Sequence, residues 1–407
     1  MRIGIIGGSI AGCSAAIALS RAGHDVVVFE RSASELKGRG AGIATSSNVL
    51  QSLKDDNFLD ADIPSFHVEA LNHVGKSPEK EPYGYEAGVL PIDLECMNWG
   101  DLQRNLRSRV HDKFYHKGHH VHEIVSLPSD EGLITLKNGE SHSFDLIVCA
   151  DGYRSRGRAS LFPEAALKYR GYVLWRGVLS EDMLADTSPL EGKMQRLGYK
   201  GAHGVFYFVP RQASETPHRL VNWALYIPVP EEELDAVLVD KNGRRLAGSI
   251  APGDMRKEQE LSLKRFASDA LPGYYAQIIE QSTSTFMQAI YTANVPAYYQ
   301  GRICLVGDAG MVAQPFTASG VFKSISNVRA LSSALSTHND VSEALATWSD
   351  EQVILGERLS QVGEKLEQAL IWNIPDFSTI TEEGMQAWYA ALSSASYVQK
   401  KSPVQTT

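Results

Sequence analysis

Glu30, Asp151 and Asp308 are the acidic side chains whose setting suggests chemistry. Each closes a short apolar run that reads as a strand: residues 26–29, 144–150 (FDLIVCA) and 303–306. A carboxylate at the carboxyl end of a parallel strand accepts hydrogen bonds from sugar hydroxyls, and ligands of open α/β sheets gather at that edge. Asp151-Gly152 and Gly307-Asp308 also pair the acid with glycine, which lets backbone approach a ligand closely. Near the start, Gly7, Gly8, Ser9, Ile10, Ala11 and Gly12 form the turn GGSIAG. Ser9 replaces the middle glycine of a GxGxxG fingerprint, and Glu30, with Arg31 beside it, follows at the spacing of a ribose-binding acid. Such a turn between strand and helix cradles a pyrophosphate on the helix N-terminus.

These residues need elements to hold them. Strand 2–6, helix 10–22 with Gly23 as C-cap, and strand 26–29 make a βαβ start. The glycine cluster GRGAGI at 38–43 is either a flexible loop or a second close approach to a cofactor, through Gly42 and Ile43. In the stretch RICLVGDAGMVAQPFTASGVFKSISNVRAL (302–331), a strand leads through Gly-Asp and Pro315 into a helix. Val321, Ile325, Val328, Leu331 and Leu335 recur there at three- and four-residue steps. Ser319, Gly320 and Val321 open that helix, so free N–H groups face whatever fills the loop, an anion or an electron-rich ring.

Other segments read as scaffold. Residues 99–110 are helical, with Leu102, Leu106 and Val110 on one face and Arg104 and Arg107 on a solvated basic face. Residues 121–127 and 133–136 form a hairpin, and 60–95 is irregular and polar. Strands at 171–179, 204–209 and 220–227 concentrate polar-tipped aromatics (Tyr172, Trp175, Tyr207, Trp223, Tyr226), as in a sheet roofing an apolar pocket. Helix 341–370 carries Leu355, Leu359, Val362, Leu366 and Leu370 as an apolar stripe for packing on the cofactor unit.

The composition suits a globular chain of more than one domain: 407 residues, 43% hydrophobic and 21% charged. A net charge of -9 argues against a nucleic-acid surface, and no apolar run is long enough for a membrane span. Cys13, Cys96, Cys149 and Cys304 lack CxxC spacing, so neither disulfides nor a metal site is expected. Arg2 opens directly into a strand without signal-peptide flanks, and a reducing cytoplasm is expected.

Three motifs stand in order: GGSIAG with Glu30, CADGYRSRGR at 149–158, and VGDAGMVAQPFTASG at 306–320. Together with the Trp175-Arg176-Gly177 strand they resemble the group A flavoprotein monooxygenases, single-component FAD-dependent aromatic hydroxylases, over residues 1 to about 370. The resemblance implies an α/β fold: a Rossmann-like FAD-binding domain with an inserted antiparallel β-sheet substrate domain and a C-terminal helical segment. The expected division assigns 1–65, 96–165 and 295–340 to FAD, 66–95 and 166–294 to substrate, 341–395 to C-terminal helices and 396–407 to a tail. It also implies NADPH or NADH as a transient co-substrate, O2, a small aromatic or hydroxypyridine-like substrate, and a flavin C4a-hydroperoxide as oxidant. A monomer or homodimer is expected.

By matching position, Gly7, Ser9, Gly12 and Glu30 would hold the ADP half of FAD. Asp308 would hold the ribityl region, Pro315 to Val321 would line the ring, and Asp151 would support both FAD and NAD(P)H. His203 and Tyr207 are the candidates to assist substrate deprotonation. With only Arg176 and His203 seen as basic groups on the roof strands, a strongly anionic substrate is not expected. The sequence departs from the family pattern at Gly310-Met311, Ala318-Ser319, Asn327-Val328 and Trp99. Two alternatives share the fold: a flavin-dependent halogenase, whose Trp-x-Trp-x-Ile-Pro signature is half matched at Trp223 to Pro228, and a non-catalytic flavin-binding protein.

Overall fold

Continuous apolar runs such as RIGII and LIVC have no polar face, so they are stable only when both faces of the sheet are covered. They lie at the centre of a six-stranded sheet ordered Tyr299–Gln300, Ile303–Leu305, Leu146–Cys149, Arg2–Ile6, Asp25–Glu30 and Tyr115–Lys117. All neighbours are parallel except the first pair. The computed structural model describes residues 1–34, 42–199, 201–211, 219–317 and 320–395; the glycines at 38–41, Ser319 and the tail lie outside them. Helices Ile10–Arg21 and Gly320–Thr337 contribute buried faces to the same core. On the second, Ile325, Val328, Leu331 and Leu335 are buried, as the spacing requires.

Most of the remaining strands form one large sheet that extends well beyond the 167–300 region. Its order is Ser249–Ile250, Phe286–Asn294, Lys168–Ser180, Arg219–Pro228, Ala202–Pro210, Lys193–Tyr199, Phe66–Gly75, Tyr85–Asn98 and Gly42–Ser46. Residues 60–95, expected to be strands and loops crossing into the substrate unit, supply two of its longest strands. The sheet is not wholly antiparallel: Lys193–Tyr199 runs parallel to Phe66–Gly75. Gly42–Ser46, grouped above with the FAD unit, pairs with Tyr85–Asn98 at the edge of this sheet. Met311–Val312 also pairs with Ala293 and Asn294, so one strand links the roof to the loop after Asp308.

Three smaller expectations need correction. The hairpin is a three-stranded sheet, because Ser141–Phe144 pairs with Gly132–Leu136. Arg107 is not on a solvated face: its guanidinium lies 3.9 Å from the centre of the Tyr115 ring and bonds Val110 O. The leucine stripe of the 341–370 helix is only partly its buried face. Leu370 is buried and Leu359 and Leu366 pack half-buried, but Leu355 is 45% exposed, and Gln352, Gly356, Gly363 and Glu367 point inward instead. A Cβ at Gly363 would come 2.1 Å from Gln314 Oε1, so the helix packs too closely for larger residues there.

All four cysteines are free and buried, and burial pushes every thiol upward, Cys13 to about 12. Among the described residues no helix is long and apolar enough to cross a membrane, and no group of side chains is arranged to hold a metal ion.

Candidate functional site

The parallel register sets the site's edge. Ile6 lies level with Phe29 and Cys149, and Cys149 with Leu305, so Gly7, Glu30, Asp151 and Asp308 emerge at the same carboxyl edge. Each turn glycine has a steric reason. Gly7 has φ +98°, a Cβ at Gly8 would overlap the Tyr115 hydroxyl at 2.0 Å, and one at Gly12 would sit 1.8 Å from Gly7 O. Glu30 is buried, its Oε2 accepting from Gly8 N (2.8 Å) and its Oε1 from Ser32 N (2.7 Å). Ser9 caps the Ile10–Arg21 helix with backbone alone, leaving its hydroxyl out of the cap; Ala11 and exposed Arg31 flank this turn.

Asp151 accepts from Arg156 N through Oδ2 at 2.6 Å, while its buried Oδ1 has no partner. Burial raises its pKa. Arg158, in the Ser/Arg-rich turn of the second motif, donates to Asp308 O (2.9 Å) and Ala309 O (3.2 Å), clamping the second and third motifs together. The Asp308 carboxylate remains 42% exposed, with Lys323 Nζ 3.3 Å away. Asn327, where the family has aspartate, bonds Gly307 N through Oδ1 at 3.0 Å and Gln352 through Nδ2 at 2.5 Å. That departure is therefore accommodated by a polar contact beneath the Gly-Asp turn. At Gly310 a Cβ would lie 2.4 Å from the Tyr298 ring, which accounts for glycine there. Pro315 is exposed, and Gly320 begins its helix with open space around it: nothing stands within 4 Å of a Cβ built there. Val321 is partly buried against the parallel-sheet core.

These features fit a flavin dinucleotide. The glycine cradle admits no Cβ, Asp151 has a buried orphan oxygen, and an exposed carboxylate stands on the neighbouring strand end.

Across from this edge lies one face of the large sheet. Cross-strand register puts Tyr172, Leu174, Arg176, Asn222, Ala224, Tyr226, His203, Val205, Tyr207 and Arg196 on it. Gly42 joins face to edge: its N–H donates to Asn222 Oδ1 (2.7 Å) and its carbonyl accepts from Arg176 (2.8 Å). Both polar groups of Gly42 are thus engaged within the chain, and a Cβ there would lie 2.7 Å from Val209; Ile43 packs on the parallel-sheet core. Phe316, from the loop after Pro315, reaches into the roof, its ring centre 5.7 Å from Tyr226, 6.4 Å from His203 and 6.5 Å from Tyr172.

His203 and Tyr207 share this face, yet neither is built as a base for neutral pH. His203 is 1% exposed, stacks on Tyr226 at 4.4 Å and donates from Nδ1 to Leu370 O at 2.9 Å. Burial, with Arg196 adding to it, lowers its pKa to about 3, and Nε2 remains a buried acceptor without partner. Tyr207 is packed with Val68, Leu71, Cys96 and Met194, and burial raises its phenol. Trp223 of the half-matched halogenase signature faces the other way, fully buried and bonded to Ser282 Oγ at 2.8 Å.

Arg158 was visible in its motif but without a role; Arg196, Asn222 and Glu367 depend on strand register and helix packing that no local spacing reveals. An open groove of about 650 Å³ lies elsewhere, lined by His122–Ser126, Arg156, Leu161 and Gly301 among others, and includes none of the expected site residues.

The FAD dependent oxidoreductase family matches residues 2–223, and an FAD binding domain-like family matches 169–292. The chain is 27% identical to 2,6-dihydroxypyridine 3-monooxygenase of Paenarthrobacter nicotinovorans, over 87% of this chain and 88% of that protein. It is 29% identical to aurachin C monooxygenase/isomerase of Stigmatella aurantiaca, over 88% and 89%. Its fold superposes on 2,6-dihydroxypyridine-3-hydroxylase from Arthrobacter nicotinovorans with a TM-score of 0.84 at 24% identity, covering 95% of both chains. HpxO of Klebsiella pneumoniae, solved with FAD and uric acid, superposes with a TM-score of 0.73 at 18% identity, covering 97% of this chain and 93% of that one.

Proposed function

This chain belongs to the FAD dependent oxidoreductase family, which matches residues 2–223, and on that premise we propose that it is an aromatic monooxygenase. Its substrate is a small, electron-rich N-heteroaromatic such as a hydroxypyridine. The reaction consumes one NADH or NADPH, one O2 and one proton; one oxygen atom enters the ring as hydroxyl and the other leaves as water. The observation carrying this reading is the contact of Gly42 with Asn222 and Arg176, which ties the polar-lined roof face to the edge strand Gly42–Ser46, the next strand in the chain after the one ending in Glu30. Similarity to enzymes named as monooxygenases of a dihydroxypyridine and of aurachin C supports it.

In this reading residues 1–65, 96–165 and 295–340 carry FAD, 66–95 and 166–294 carry substrate, and 341–395 close the far side. Bound FAD supplies hydride acceptance from the nicotinamide and activation of O2. Gly7, Gly8, Ser9, Ile10, Ala11 and Gly12 hold the pyrophosphate on the first helix, with Glu30 and Arg31 at the ribose. Asp308 accepts from the ribityl chain, and Asp151 supports the cofactor from the neighbouring strand. Pro315, Ser319, Gly320 and Val321 line the ring, and the amides opening the Gly320–Thr337 helix stabilise negative charge on it. Gly42 and Ile43 approach from the opposite side. Tyr172, Tyr226 and Phe316 exclude water. Neutral His203 accepts a hydrogen bond at Nε2 rather than removing a proton, and the Tyr207 hydroxyl orients the ring.

The test is oxidation of NADH and NADPH by the FAD-loaded protein with a panel of hydroxypyridines and phenols under ¹⁸O2. Fast oxidation only with a hydroxylated N-heterocycle, and one labelled atom in its product, is expected. Label in a lactone, a halogenated product with added halide, or oxidation indifferent to every ring would overturn the proposal.

A further inference from the structure

The roof face contains more positive charge than the strand patterns suggested. Register aligns one row of side chains across it: Phe286, Arg176, Ala224, Val205, Arg196 and His73. The two arginines are three strands apart, about 14 Å between backbones. Only the small Ala224 and Val205 lie between them. The rows on either side present Tyr226 and His203 on one flank, Asn222 and Tyr207 on the other. The outline is a slot with a low floor, polar aromatic walls and a guanidinium at each end.

The two ends differ. Arg176 is committed to the Gly42 carbonyl at 2.8 Å. Arg196 has no acidic partner among the described residues. Its one hydrogen-bond contact among the described residues is Nη1 to His73 Nε2 at 3.4 Å, and its Nε is buried without a partner. His73 cannot neutralise it: the ring is fully buried, holds the Tyr389 hydroxyl at 2.9 Å through Nδ1, and burial keeps it uncharged. Burial lowers the Arg196 pKa to about 10, so the guanidinium is charged at neutral pH. An unpaired, half-buried charge is costly, and such groups cluster at functional sites. Nearby, Arg176 Nε and Asn222 Nδ2 are further buried donors without acceptors. Three orphan donors against one orphan acceptor, His203 Nε2, describe a ligand rich in anionic or carbonyl oxygen.

We propose that Arg196 forms an anion subsite at the end of the slot away from Gly42, and that it takes a carboxylate substituent of the planar aromatic substrate. Ring oxygens then meet Arg176 and Asn222 at the other end, next to the cofactor. This rests on the monooxygenase reading above and deepens it, reversing the expectation of a weakly charged substrate. An arginine fork matches a carboxylate in two parallel hydrogen bonds, a match that a carboxamide cannot make with the same charge.

The experiment uses FAD-loaded protein and matched hydroxypyridine carboxylates and carboxamides, with dissociation constants read from the change in flavin absorbance. Wild type is expected to bind acids roughly ten- to a hundredfold tighter than amides. Arg196→Met should bring that ratio close to one, and Arg196→Lys should leave it in between. FAD content and melting temperature of each variant, measured beside binding, separate a lost subsite from a lost fold. Equal binding of acid and amide by wild type, or equal weakening of both by Arg196→Met, overturns the subsite. If neutral hydroxypyridines perturb the flavin and accelerate NAD(P)H oxidation while acids do no better, the subsite falls and the parent reading survives. If no ring does either, both fall.

Discussion

At Asp308 the carboxylate is 42% exposed and its only ion pair is the 3.3 Å contact with Lys323, a kind of pair that contributes about 1 kcal/mol or less. Asp308→Ala should therefore leave the unliganded fold nearly as stable as before. It should weaken FAD binding roughly ten- to a hundredfold, the worth of one charge-assisted hydrogen bond, as measured by titrating apoprotein with FAD. An unchanged affinity would remove Asp308 from the cofactor site. His203 carries a prediction about acid. Its folded pKa of about 3 lies below the unfolded value near 6.5, so between these limits the unfolded chain binds a proton that the folded chain does not. Stability is thus lost as pH falls from 6.5 toward 3, by about 1.4 kcal/mol per pH unit. Denaturant melts from pH 7 to 4.5 should show a shallower slope for His203→Gln; equal slopes would mean the ring is not held neutral. For the same reason, any rise in hydroxylation above pH 6 belongs to the substrate's own ionisation. The acids and glycines were legible because each turn needs those residues locally. The orphan state of Arg196 was not, because it depends on what three other strands omit.

At the level of elements, the Val341–Glu367 helix shows what periodicity conceals. Its leucines suggested a buried stripe, but the inward face carries Glu367, which accepts from Arg170 Nε and Nη2 (2.9 and 2.8 Å) and from Gln314 Nε2 (2.9 Å). One carboxylate thus ties together the roof strand, the loop before Pro315 and the C-terminal helix. Glu367→Ala should destabilise the protein by about 3 kcal/mol, since it leaves Arg170 and Gln314 unpaired. The double variant Glu367→Met, Arg170→Met should recover much of that loss, because the stranded charge is gone. Additive losses in chemical denaturation would show that the pair does not act as a unit. Helices Ile10–Arg21 and Gly320–Thr337 were legible because they pack on an apolar sheet. The extent of this helix was legible too, but its buried face was not, because it packs on polar side chains and needs Gly356 and Gly363 for closeness.

Across the whole molecule, the proposed FAD contacts come from residues near 7, 30, 42, 151, 308 and 320, so the cofactor stabilises only a chain that has brought them together. At a hundred times its dissociation constant it should add about 2.7 kcal/mol, seen as a melting temperature that rises with FAD concentration. A melt indifferent to FAD would contradict the assembled site. The parallel sheet was readable from strand, turn and helix following one another. The large sheet was not, because its order joins strands from residue 42 to residue 294, and alternation names a strand's faces but never its neighbours.

The four buried thiols give this architecture a chemical label of its own. Cys13, Cys149 and Cys304 lie in the core around the parallel sheet, while Cys96 lies under the roof with Val68 and Tyr207. A thiolate reagent has nothing to attack until one of these regions opens. Adduct masses collected over time in mild denaturant would therefore time-stamp each region separately: one added group for the roof, three for the parallel sheet. FAD should slow the second clock, and a carboxylated ring should slow the first.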